Sequence, residues 1–115
     1  MGSMRGMVRA IDCVQRKATL IPFDVDENGG SPQLLTSARH ATIVRNGAGD
    51  YTLTLNDGAS RPLQAFCQAY AADTAIAITS RSNTAIDIAI TDLAGAAKDA
   101  DFSVFMMAFD SSDDT

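Results

Sequence analysis

The chain has 115 residues, 46% hydrophobic and 20% charged, a composition that fits one compact domain and excludes both a two-lobed enzyme with an interdomain cleft and a disordered polypeptide. Nine Lys and Arg stand against fourteen Asp and Glu, and the resulting charge of -5 argues against a nucleic-acid footprint built on bulk positive charge. No apolar run approaches the roughly 18 residues of a spanning helix, so no membrane partner is expected.

In chain order, Met1-Gly2-Ser3-Met4 lacks the apolar stretch of a signal peptide, and Gly-Ser ahead of a second Met has the form of a cloning scar. Residues from about 1 to 16 read as an N-terminal arm with a strand candidate at 7–14. Basic residues gather at this end. Residues 1–45 carry Arg5, Arg9, Arg16, Lys17, Arg39 and Arg45 against four acidic side chains, whereas residues 46–115 carry three basic and ten acidic ones. Arg5, Arg9, Arg16 and Lys17 therefore make the arm a candidate for docking on an acidic surface, beside the plainer reading of a solvated strand face.

A second strand is expected at 18–23. Residues 24–38, with Asn28-Gly29-Gly30-Ser31-Pro32 at their centre, read as an exposed loop. Within it, Asp24-Val25-Asp26-Glu27-Asn28-Gly29 matches the first half of a calcium loop, where alternating oxygen ligands surround a hard cation. Leu35 stands where the bidentate Glu of an EF-hand belongs, so only an irregular oxygen site or an ordinary acidic loop is left.

Strands at 41–45 and 50–56 follow, joined by a short hairpin loop at Asn46-Gly47-Ala48-Gly49 and closed by Asn56-Asp57-Gly58. Tyr51, Leu53 and Leu55 alternate with Thr52 and Thr54, the period of a half-buried strand. Residues 62–73 fit two periods. Leu63, Phe66, Cys67, Tyr70 and Ala71 have helical spacing, while Leu63, Ala65, Cys67 and Ala69 alternate, and a strand is slightly favoured. Further strands are expected at 75–79 and at 84–91, where Ile86, Ile88 and Ile90 oppose Ala85, Asp87 and Ala89. Residues 93–101 read as a loop with room for a helical turn, and 110–115 as an acidic tail that frays.

The strand at Phe102–Phe109 departs from simple alternation. Phe102, Val104, Met106 and Ala108 are apolar on one face, and Phe105, Met107 and Phe109 on the other. Both faces want cover, from the chain itself or from another copy. Seven to eight short strands with turn residues between them give an all-β fold, an antiparallel β-sandwich or jelly-roll-like domain spanning residues 1–115.

Reaction chemistry has little to stand on. His40 is the sole histidine and reads as a polar strand-end residue; no serine has the surroundings of a nucleophile, and Cys–His catalysis has no supporting pattern. Cys13 and Cys67 are taken as reduced and buried, although one disulfide between them is conceivable on count alone. Gly47 and Gly49 lack the third glycine and the helix of a phosphate cradle. The pairs Asp99 with Asp101 and Asp113 with Asp114 read as solvated surface, and Phe66 and Tyr70 as core aromatics. No catalytic, cofactor-binding or metal-binding residue is assigned.

The run from Ala41 through Arg45-Asn46-Gly47-Ala48-Gly49-Asp50-Tyr51 to Leu55, a proline-led apolar segment, an alternating strand and a final strand after Ala97-Lys98-Asp99-Ala100-Asp101 resemble small structural proteins of tailed bacteriophages, among them capsid decoration (cement) proteins and fibre-like virion components. The likeness covers roughly residues 40–109. It implies a β-rich, non-enzymatic protein that is made in the bacterial cytoplasm, sits on the capsid surface as a homotrimer and binds the major capsid protein. On that expectation Phe102, Val104, Phe105, Met106, Met107 and Phe109 form the subunit contact and the basic arm reaches an acidic patch on the shell or a neighbouring copy. The second reading is a receptor- or glycan-binding module of a tail fibre, with loops 24–36 and 93–101 turned to the host; aromatic residues at 6% and no Trp argue against it.

Overall fold

A computed structural model of the chain describes residues 18–59 and 63–109. The arm with its strand candidate at 7–14, its basic residues Arg5, Arg9, Arg16 and Lys17, Cys13, and the acidic tail all lie outside the described residues.

Among the described residues, eight strands form two four-stranded antiparallel sheets, so the expected β-sandwich is the fold. They are β1 (Ala18–Asp26), β2 (Gln33–Leu34), β3 (Ala41–Gly47), β4 (Asp50–Leu55), β5 (Gln64–Ala69), β6 (Thr74–Arg81), β7 (Ala85–Asp92) and β8 (Phe102–Phe109). One sheet has the order β2-β1-β8-β5 and is called sheet A; the other, sheet B, has the order β3-β4-β7-β6. Side chains that alternate along each strand supply the core between them. Sheet A contributes Phe23, Val25, Phe102, Val104 and Met106, and sheet B contributes Tyr51, Leu53, Ile86, Ile88 and Ile90, all of them buried.

The segment at 62–73 resolves in favour of period two. β5 turns Ala65, Cys67 and Ala69 inward and leaves Gln64, Phe66 and Gln68 outside. The exposed loop expected at 24–38 needs correction. β1 continues to Asp26, a turn of 3-10 helix follows at Asn28–Gly30, and β2 pairs Leu34 with Val25 and Gln33 with Asp26. No helical turn forms at 93–101; the segment bends at Asp92–Gly95 and bridges back to Thr91 through Ala97.

Asp99, expected on the solvated surface, instead fastens one end of the sandwich. Its carboxylate accepts from Gly49 N at 2.8 Å, from the Tyr51 hydroxyl at 2.7 Å and from Arg45 Nε at 3.1 Å, with Arg45 Nη2 at 2.9 Å. The β7–β8 loop is thereby tied to the β3–β4 hairpin, whose register shifts between Arg45 and Gly47. Gly49 lies at φ +65°, and a Cβ there would collide with the Ile90 carbonyl and stand 2.8 Å from Lys98 N, so only glycine fits the turn. Asp101 belongs to the same end and accepts from Glu27 N at 2.9 Å.

Candidate association surface

The outward positions of the two sheets differ in chemistry. Sheet B presents Thr42, Val44, Thr52, Thr54, Ala75, Ala77, Asp87 and Ala89, and a polar ladder runs across it: Asn46 Nδ2 donates to Thr52 Oγ1 at 2.8 Å, which donates to Asp87 Oδ1 at 2.7 Å. This is the solvated outer face usual in an antiparallel sandwich.

Sheet A has an apolar outer face. The strand register aligns its outward residues in rows across β1, β8 and β5: Leu20 with Met107 and Gln64, Pro22 with Phe105 and Phe66, and Asp24 with Ser103 and Gln68. Phe66 is 80% exposed, Leu20 65% and Phe105 50%. Leu20, Phe66, Phe105 and Met107 border a shallow depression of about 180 Å³. Tyr70 continues the surface beyond β5, 59% exposed, its hydroxyl 2.6 Å from Ser103 Oγ, which donates to Asp24 Oδ1 at 3.4 Å. One end of the face is thus polar and internally satisfied, and the rest is greasy.

Period two explains how this arises. The inward positions of β5 are occupied by the small Ala65, Cys67 and Ala69, and Phe66 between them has no choice but to point away. Phe66 and Tyr70, expected in the core, are surface residues. Conversely, Phe102, Val104 and Met106 are completely buried within their own molecule, which removes them from the expected subunit contact. Of the six residues named for that contact, Phe105 and Met107 are on the outer face, while the side chain of Phe109 lies outside the described residues. Sequence reasoning missed Leu20, Pro22 and Phe66. The signal was present in the β5 alternation, which decides the side of Phe66 once a strand is preferred to a helix.

Other candidate groups do not converge on this face. His40 is exposed just before β3, on the rim of an opening between the sheets that Leu55 and Asp57 also border. Of the Asp24–Gly29 carboxylates, Asp26 and Glu27 serve as turn acceptors, Asp26 Oδ1 taking Asn28 N at 2.9 Å and Glu27 Oε2 taking Gly30 N at 3.2 Å, while Asp24 accepts from Ser103. No group of three or more metal-ligating side chains occurs among the described residues. Cys67 is a free, half-buried thiol on the inward side of β5, and burial pushes its pKa up, which makes it a weaker nucleophile. Among the described residues, no helix is long and apolar enough to cross a membrane.

No protein-family model matches the chain, and no curated protein or solved structure is significantly similar to it.

Proposed function

We propose that this chain is a non-enzymatic structural protein that acts by association, and that its assembly is the virion of a tailed bacteriophage, where it decorates the capsid. The virion is what the sequence resemblance implies; the association reading stands on one observation, the uncharged apolar stripe of Leu20, Pro22, Phe66, Phe105 and Met107 on the outside of sheet A. Contiguous apolar surface of this kind marks contact sites on soluble domains. A decoration protein needs nothing more, because binding the assembled shell in preference to free capsomers stabilises the shell by mass action. In this reading the major capsid protein is the further partner, and Arg5, Arg9, Arg16 and Lys17 supply the charge for an acidic patch on it.

The test is to mix the purified chain with isolated phage heads, sediment them and measure bound copies and the heat resistance of the heads. Saturable binding in high copy number that raises the head melting temperature and weakens with salt is expected. Binding to host glycans, with no binding to heads, would favour the fibre reading and overturn this one.

A further inference from the structure

We infer that the first occupant of the outer face of sheet A is the same face of a second copy, in a twofold pair centred on Phe66. This rests on reading the face as an association surface and goes beyond it by naming the partner and its symmetry. Three observations select a second copy.

The first is shape. Phe66 is a knob, 80% exposed, standing at the border of the depression that Leu20, Phe105 and Met107 complete. Knob and hole belong to one patch and lie side by side. A twofold axis passing next to Phe66 therefore seats each ring in the other copy's depression, the self-complementary arrangement of an isologous contact. A contact of that kind closes at two copies, whereas a ring of three requires two different patches on each subunit.

Charge is the second. The outward positions Leu20, Pro22, Gln64, Phe66, Gln68, Ser103, Phe105 and Met107 carry no ionisable group, on a chain whose net charge is -5. Two acidic copies would ordinarily repel, and this is a face through which they can meet without placing like charges opposite each other. Asp24 lies at the edge of the rows, hydrogen-bonded to Ser103.

The third is size. With aromatic side chains at about 150–250 Å² each, the exposed parts of Phe66, Phe105, Tyr70 and Leu20 and their neighbours amount to roughly 500–600 Å² per copy. Two copies would bury about 1,100 Å², at the lower end of specific interfaces, which predicts a pair that dissociates on dilution. Two sheets packed face to face about 10 Å apart have the spacing that interlocked aromatic side chains fill.

Sedimentation equilibrium of the full chain over a wide concentration range tests this, with Phe66→Asp and, as a control of equal charge, Val44→Asp on the outer face of sheet B. Val44 is 51% exposed, so neither change disturbs the core, and circular dichroism verifies the fold. A reversible monomer–dimer equilibrium is expected, weakened roughly 30-fold or more by Phe66→Asp and unchanged by Val44→Asp. A wild-type chain that stays monomeric at every concentration overturns the proposal, including the case in which residues 1–17 of the same chain cover the face. Equal weakening by both variants, or a stable trimer, overturns it as well. If the wild type is monomeric and Phe66→Asp still abolishes binding to phage heads, the pairing fails and the association reading survives.

Discussion

Asp99 holds three groups at once: the Gly49 amide in the hairpin turn, the hydroxyl of fully buried Tyr51, and the Arg45 guanidinium. The guanidinium first, then the Gly49 amide and the Tyr51 hydroxyl, hold the carboxyl at about 2, below the ordinary 3.8. Burial, with the hydrogen bond to Asp99, raises the Tyr51 pKa, so the phenol stays a donor. Because the folded carboxyl binds its proton less readily than the unfolded one, its contribution is complete above about pH 4 and is lost as the pH falls toward 2. Solvent reaches 23% of the side chain, and after allowance for screening the contribution is about 1–2 kcal/mol. Urea titrations of wild type and Asp99→Asn should differ by about that much at pH 7 and converge near pH 2. A gap that persists undiminished at pH 2 would count against the ionic role. In sequence, Asp99 had only loop context, and no local pattern links it to a turn fifty residues earlier.

β8 separates core from surface within one strand. Phe102, Val104 and Met106 lie between the sheets, and Phe105 and Met107 lie outside, so neighbours of similar hydrophobicity should respond very differently to truncation. Met106→Ala should cost about 2–5 kcal/mol through the cavity it leaves. Phe105→Thr, measured by denaturation at a concentration too low for pairing, should cost less than about 1 kcal/mol. Comparable losses at both positions would mean that the outer face is covered within the monomer. Alternation made β4 and β7 legible from sequence, because each places large apolar residues at every second position, whereas β8, apolar on both faces, was legible as a strand but not in which face is core. β5 was less clear, since small residues fill its inward positions and its one large aromatic points outward. β2 carried no signal at all: two residues pair with the end of β1, held by Leu35 N on the Asp24 carbonyl at 2.7 Å, and no propensity marks so short a ladder.

At the scale of the molecule, the strands change layer repeatedly: β1 and β2 lie in sheet A, β3 and β4 in sheet B, β5 in A, β6 and β7 in B, and β8 in A. Neither layer is a continuous stretch of chain, and three of the six ladders, β1–β8, β4–β7 and β5–β8, join segments distant in sequence, with β1 against β8 the extreme. Folds dominated by such pairings form in milliseconds to seconds, and stopped-flow refolding should fall in that range as a single phase. A microsecond phase carrying most of the amplitude would contradict the topology. The two-layer class followed from strand count and turn spacing, whereas strand order could not, because partner choice depends on which edges meet in three dimensions and alternation reports only which side of a strand is wet.

The position of β8 between β1 and β5 also matters during synthesis. Both of its neighbours leave the ribosome before it does, and until it arrives each lacks the hydrogen-bonding partner on that side. Sheet B can zip its four strands as they emerge, but its twin must wait for the keystone. A nascent chain arrested ahead of Phe102 therefore displays the inner sides of β1 and β5 as a sticky, half-built wall that a chaperone would recognise and a finished molecule would not.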